Sequence, residues 1–424
     1  MRKLKLSILS LAIAGLGFQN VLAQEAETTA DVKTEQTVKP TVKFGGRIQY
    51  DFEFLNQEID GADDYSVNGQ EFRRVYLEAG GTIYKNIKYK VQIELAGGEI
   101  AYRDMYVKFT KLPGIGGDLA FGSMAEATGL DMATSSKYIS FFERAMMTNT
   151  QNFRWNSGIH YSNFGILEGK LGLQMSYSFN GDHASGFVEK NLEEGAHFVA
   201  RLTSPVYENK DKDQVVHVGV NYESRKRSDD PADYTLKFRT ENHMGGKVEV
   251  GTMHPVYNNP LDPLEITDYE TYFAGLENQK DLGFEVAANF GPLSFQGEYE
   301  IAGYNTVDED YKVNGYYAAV TYFVTGDHRG YKKGAGSRVK PFSNFCIKDG
   351  DFGALELVAR YSAMDFSDFR TGDDELKSVG NITAGFNWYL NSHALLMYNY
   401  VVTNYDQQDV NNMNGHLVRL AIDF

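Results

Sequence analysis

The sequence predicts an all-β fold, a transmembrane antiparallel β-barrel of about 16 strands (16–18) with a constriction loop folded inward. Three observations predict it. Apolar and polar residues alternate with a period of two along most of the chain, and the connections between these runs mostly take turns between short and long. A leading export signal is followed by no apolar run reaching the ~18 residues a membrane helix requires.

The chain begins with Arg2, Lys3 and Lys5 ahead of an apolar run from Leu6 to Phe18, and Val21-Leu22-Ala23 supplies a cleavage site, so residues 1–23 read as a signal peptide. Residues 24–40, rich in Glu, Thr, Lys and Gln without an apolar period, read as a polar N-terminal segment, and residues 41–424 as the barrel domain. The first long run alternates Val42, Phe44, Gly46, Ile48, Tyr50, Phe52 and Phe54 with Lys43, Gly45, Arg47, Gln49, Asp51 and Glu53. Such a run exceeds the roughly 9 to 11 residues of a tilted membrane strand. After a tight turn near 84–86 come Ile87 to Leu95, then runs through 153–161, 171–179, 216–222 and 234–238. Further runs cover 281–290, 292–303, 314–325, 351–363, 377–390, 393–404 and 414–424, while a weak run at 246–253 leaves the count at sixteen to eighteen.

Short connections fall at 163–167, 291–292 and 391–392; longer polar ones fall at 56–70, 181–194, 254–279, 304–313, 364–376 and 405–413. A barrel with one end in the periplasm and the other outside produces that rhythm, whereas a soluble sandwich has no reason to keep it. Closure follows because hydrocarbon leaves an open sheet edge without hydrogen-bond partners. Sixteen strands leave a water-filled lumen.

Composition agrees. The chain has 42 Gly, 28 Tyr, 27 Phe and only 9 Pro at a mean hydropathy of -0.40, which suits a wall whose every second residue faces water. The net charge of -16 disfavours nucleic acid and anionic membrane surfaces as partners. Cys346 is the single cysteine and forms no internal disulfide.

Residues 121–145, FGSMAEATGLDMATSSKYISFFERA, interrupt the alternation with small, hydroxyl and charged residues. In a barrel this is the loop that turns inward and narrows the lumen. Parity sends Arg47, Lys90, Arg154, Lys170, Arg201, Lys237, Arg239 and Arg360 into the lumen, because Arg or Lys on the lipid face at mid-membrane costs about 2 to 4 kcal/mol. Two readings stay open for these residues: paired solvation of the lumen beside Asp51, Glu53, Glu94 and Glu241, or a basic track for anions. The adjacent Arg73 and Arg74 require a rim position or a bulge.

From Gly315 onward, specific residues add to the pattern. Gly315-Tyr316-Tyr317, Tyr322 through Arg329, Tyr331-Lys332-Lys333, Val339-Lys340-Pro341, Leu355 through Ser362, Gly385 through Asn391 and Val418 through Phe424 resemble the bacterial phosphate-selective porin O and P family. The likeness runs from about Phe44 to Phe424. It implies a sixteen-stranded outer-membrane barrel, a homotrimer, for passive diffusion of small hydrophilic solutes including anions such as phosphate or polyphosphate. It also implies that the terminal Phe424 is read by the outer-membrane assembly machinery, and that outer-membrane lipid surrounds the wall.

For the constriction, the resemblance implies that Ser135, Ser136 and Arg144 hold a passing oxyanion, with Lys137 beside them. Glu126, Asp131 and Glu143 oppose or pair with it. Arg74, Arg154, Arg201, Lys237, Arg239 and Arg360 are expected on the lumen wall, and Arg329, Lys332, Lys333 and Lys340 at a basic periplasmic mouth. The acidic Glu126 and Asp131 depart from a basic pore loop and set phosphate selectivity apart from the porin fold.

Other function classes fit less well. Ser135, Ser136, His160, His197 and His217 offer parts for nucleophilic chemistry, but there is no GxSxG elbow, so no enzyme is expected. The nine His show no H-x-x-x-H pair with a nearby carboxylate, so neither metal nor cofactor is expected. A structural or surface-binding barrel acting through its outer loops is the alternative from another class; stepwise single-channel conductance separates it from a porin. A soluble sandwich would stay in solution without detergent.

Overall fold

The computed structural model describes residues 39–424 except 60–64, 99, 152–154, 179–194, 227–233, 255–272, 275, 307–309, 370–375 and 408–409. The stretch expected as a signal peptide, most of the expected polar segment and Arg154 therefore lie outside the described residues.

The chain runs through β1 (Lys43–Ile59), β2 (Tyr65–Tyr84), β3 (Ile87–Glu94), β4 (Ala101–Thr110) and β5 (Asp118–Ala125). Two short helices, α1 (Leu130–Ala133) and α2 (Met146–Gln151), precede β6 (Trp155–Ile166), β7 (Leu171–Ser178), β8 (Ala196–Asn209) and β9 (Gln214–Lys226). Then come β10 (Tyr234–Phe238), β11 (Val248–His254) and β12 (Phe273–Ala274), followed by β13 (Leu276–Phe290), β14 (Leu293–Thr306) and β15 (Asp310–Phe323). A hairpin of β16 (Gly330–Lys332) and β17 (Ala335–Ser337) precedes β18 (Ala354–Asp365), β19 (Ser378–Asn391), β20 (Ala394–Asp406) and β21 (Val410–Asp423).

Sixteen of these strands form a closed barrel in which each neighbour in the wall is antiparallel; β9 pairs directly with β13, β15 with β18, and β21 returns to β1 with Arg47 opposite Asp423. Strands β10 to β12 form a separate sheet, and β16 with β17 another. The expected runs at 234–238 and 246–253 are thus strands that lie outside the wall. Strand β8, not singled out by its pattern, is in the wall; Ala196, Ala200 and Ser204 weaken its outward row.

Alternation sorts the residues as lipid and water demand. Phe284, Val286, Phe295, Tyr316 and Leu357 are exposed on the outside, while Arg201, Glu285, Arg360, Asn387 and Arg419 are buried within. One register shift resolves the adjacent arginines: Gln49 faces Arg74 and Tyr50 faces Phe72, so Arg73 sits in a bulge and both side chains turn inward.

Lys43, Asp423 and the tight turns at 85–86, 291–292 and 392–393 share one end, the periplasmic end by turn length. The connection 324–353 lies at that end too, yet it is long and carries the β16–β17 hairpin. Inside the outer half, Met146 and Met147 of α2 pack with Leu236, Phe238 and Val250 against wall residues Tyr304, Val313 and Met364. Leu55, Phe142, Val401, Met413 and Leu417 form a second apolar cluster. Part of the lumen is therefore packed as a core, which confines any passage to the remaining wall.

Candidate functional site

Residues 126–150 leave the wall after β5 and are fastened inside the barrel by polar side chains from many strands. Gly129 begins the turn at φ +146°, and a Cβ there would come within 2.1 Å of Glu298 Oε2, so only glycine fits. The next two N–H groups, of Leu130 and Asp131, donate to Glu298 Oε2 and Oε1 at 2.8 and 2.7 Å. Asp131 in turn accepts from the Ala145 N–H at 3.1 Å and closes the loop on itself.

The first limb is held by Glu126, which accepts from Ser176 Oγ at 2.7 Å and lies 2.9 Å from His197 Nδ1. Burial alone would raise its pKa, but the contacts with His197, Ser176 and Asn156 reverse that and hold it below the usual range. The far limb is held by Glu143, 1% exposed, whose oxygens lie 2.8 Å from Arg73, 3.3 Å from Arg74 and 3.2 Å from Arg419. Those three guanidinium groups overcome the effect of burial and hold the carboxyl well below its ordinary value.

The arginines expected to form a track are likewise occupied. Arg201 forks onto Glu285 at 2.6 Å and donates to the Gly334 carbonyl at 2.6 Å. Arg360 pairs with Glu241 at 2.6 Å and donates to the Glu143 carbonyl at 2.8 Å. Arg419, not expected as a site residue, grips Asp51 through two bonds of 2.7 Å, and Arg329, expected at the basic periplasmic mouth, is instead turned onto the buried Glu356 at 2.8 Å. Arg144 is turned into the loop, donating to the carbonyls of Asp131 and Thr134 at 3.0 and 2.6 Å. Its guanidinium staples backbone where the sequence suggested an oxyanion contact. Ser136 Oγ accepts from Arg47 at 2.6 Å, Ser135 Oγ accepts from the Lys137 N–H at 3.4 Å, and Lys137 reaches Glu78 at 3.5 Å.

Lys237 and Arg239 are not wall residues. Lys237 is on β10, and Arg239 begins the segment 239–247 that enters the barrel between β10 and β11. Glu241 there binds Arg360, Ser362 and Thr383. The N–H groups of His243 and Met244 donate to Glu53 at 3.1 and 3.0 Å. Periodicity missed this second inward segment because the run 234–238 carries the same alternation as a wall strand. Asp51, Glu53 and Glu71 bring oxygens within 4.8 Å of one another, but each is already engaged, by Arg419, by these two N–H groups and by the His243 ring.

The open side is the wall from β3 to β7. Lys88 and Lys108 face each other across β3 and β4, and with Lys43 and Lys333 they line a recess at the periplasmic end. It continues past Ser162 and Gln174 to the limb at Met124–Ala127. Among the described residues none of these four lysines makes an ion pair within 4 Å, although Glu78 and Asp118 share the recess and Asp118 acts on Lys108 from farther off; Lys108 lies over the Tyr106 ring at 4.8 Å and Lys333 over the Phe164 ring at 5.8 Å. Lys332 and Lys340 are exposed at the same end. Lys88 and Lys108 were not expected as site residues; inward parity was available for both, but their meeting depends on register.

Comparisons with known proteins follow the geometry. Residues 42–424 match the family described as phosphate-selective porin O and P. Porin O of Pseudomonas aeruginosa is 27% identical over 96% of this chain and 94% of its own length. Among solved structures, the anion-selective porin from Comamonas acidovorans superposes with a TM-score of 0.54 at 13% identity, covering 91% of this chain and 100% of that one. Pseudomonas putida OprB gives 0.55 at 10% identity over 90% and 94%. The trimer form of OmpT from Vibrio cholerae gives 0.52 at 13% identity over 91% and 100%. With a closed sixteen-stranded wall, an inward constriction loop and a family match spanning almost the whole barrel, this chain belongs to the phosphate-selective porin O and P family and is an outer-membrane porin.

Proposed function

We propose that the pore passes small hydrophilic anions, phosphate among them, down their gradient along the β3–β7 side of the lumen. The observation that carries this reading is the division of labour among the cations. Arginines are consumed in close ion pairs, whereas Lys43, Lys88, Lys108 and Lys333 face the recess without an ion pair within 4 Å among the described residues and outnumber Glu78 and Asp118 there. The net charge of -16 is a sum over the whole chain, and inside the barrel Asp51, Glu143, Glu241, Glu285 and Glu356 are matched to those arginines. At about 8 Å a unit charge contributes about 0.5 kcal/mol through bulk water and about 2 kcal/mol at an effective dielectric of about 20. Several lysines acting together are enough to set the sign of selectivity. Ser162, Gln174, Ser135 and Ser136 are the hydroxyl and amide groups available to replace water around a passing solute. Arg144 and the acidic Glu126, Asp131 and Glu143 act by keeping the constriction in place. A homotrimer is consistent with the OmpT trimer form among the structural relatives, and the exposure of the terminal Phe424 ring supports its being read during assembly.

The test is the reversal potential in planar bilayers under a salt gradient. The expected result is anion preference, partial block of chloride current by inorganic phosphate, and a severalfold fall in the anion-to-cation permeability ratio for Lys108→Glu with Lys333→Glu. Cation preference in the unaltered protein would end the proposal.

A further inference from the structure

The connection 324–353 has a part that the pore does not use. After β17 the chain crosses to the outside of the barrel, where the Phe345 N–H donates to the Leu390 carbonyl at 2.7 Å. Residues 346–351 then form a closed turn: the Cys346 N–H donates to the Asp351 carbonyl at 3.0 Å and the Asp351 N–H to the Cys346 carbonyl at 3.1 Å. Gly350 at φ +77° permits the reversal. On either side of this turn, Phe345 and Phe352 close on Trp388, edge-on at 5.1 Å and stacked at 5.0 Å, and Trp388 Nε1 donates to the Phe352 carbonyl at 2.7 Å.

Trp388 lies on the outward row of β19, since its neighbours Asn387 and Tyr389 are buried in the lumen. The three rings are therefore on the lipid side of the wall, at the level of the short periplasmic turn 392–393. At the tip of the turn Ile347 is 82% exposed, and Phe352 is 51% exposed. With Phe345, Phe352 and Trp388 this isoleucine forms a contiguous apolar patch beside the exposed Lys348, and such a patch marks a contact surface where a single exposed side chain would not. We propose that residues 345–352 are an interfacial foot that rests in the periplasmic leaflet, with Ile347 and Phe352 among the acyl chains near the headgroups and Lys348 against phospholipid phosphate. Aromatic residues gather at that depth because their rings tolerate both phases. A lysine beside buried apolar residues is the usual polar half of such a contact. Phospholipid is favoured over a second copy of the chain because the patch extends the belt that the wall already presents to lipid.

The test places a fluorescent label at position 347 in the full mature protein, reconstituted in phospholipid vesicles, by Ile347→Cys in a Cys346→Ser background. Lys210→Cys in the same background marks the aqueous limit, its side chain being 82% exposed on a periplasmic turn, and Phe284→Cys marks the lipid limit. Heat-modifiable gel mobility and unchanged conductance confirm that each variant is folded. The expected result is quenching by phospholipid spin-labelled near the headgroup that exceeds that at 284, which lies deeper, with iodide quenching about threefold or more below that at 210. Quenching by iodide as strong as at 210 would overturn the proposal, as would protection from both quenchers, which would mean that another subunit covers the turn.

Discussion

Glu143 shows why the acidic residues of the pore loop do not argue against anions. It is enclosed by Arg73, Arg74 and Arg419, and the Arg73 that makes this possible reaches the lumen only through the bulge in β2. Removing one partner from a buried charge network typically costs about 3 to 5 kcal/mol, because the charges left behind lose their counterion. Glu143→Gln should therefore lower the thermal midpoint of the folded barrel, read by gel mobility after graded heating. The sign with pH follows from the depressed pKa: the contribution of Glu143 is present above the ordinary glutamate value of 4.5 and is lost as pH falls through its lower folded-state value. The wild type and Glu143→Gln should thus differ undiminished from neutral pH down to about 4.5 and converge only in stronger acid.

At the scale of elements, two loop segments, 126–150 and 239–247, enter the lumen, and the second is held by its own Glu241 and by Glu53 and Glu71 of the wall. Glu241 collects Arg360, Ser362, Asn381 and Thr383 from β18 and β19. Glu241→Ala combined with Glu53→Ala should release this segment and raise single-channel conductance in planar bilayers, with the constriction loop still fastened through Glu143 and Glu298. Conductance equal to that of the unaltered protein would mean that the segment does not restrict the path. The hairpin β16–β17 is a third element inside the lumen; the Gly336 N–H donates to Thr134 Oγ1 of the constriction loop at 3.0 Å, so the periplasmic connection also supports that loop.

For the whole molecule, charge and selectivity are separate quantities. Net charge sums over loops far from the path, while a passing ion responds to charges within a screening length, about 10 Å at 0.1 M salt and about 3 Å at 1 M. The anion-to-cation permeability ratio should therefore fall as the mean salt concentration rises from about 0.1 M to about 1 M. A ratio indifferent to salt would point to a direct binding step at the constriction in place of the lysine field.

Period two along the chain was sufficient for the barrel, its closure and the facing of the runs it picked out, because lipid and water impose opposite demands on alternate residues; it passed over β4 and β8, took the start of β2 for a loop and could not place Arg73, whose facing depends on a bulge. The same rule could not tell a wall strand from a strand of the inserted sheet, since both alternate; Lys237 and Arg239 were misplaced for that reason. Nor could it tell a free cation from a paired one. Ser135, Ser136 and Arg144 were legible as loop residues, but whether a guanidinium meets solute or backbone depends on how the loop folds. The free Lys88 and Lys108 meet across two strands, and the partners of Glu143 come from β2 and β21, far apart in sequence. Sequence by itself determined which face of each strand is wet; tertiary structure alone decided which wet charges remain available to a solute, because pairing depends on distances that only closure of the barrel sets.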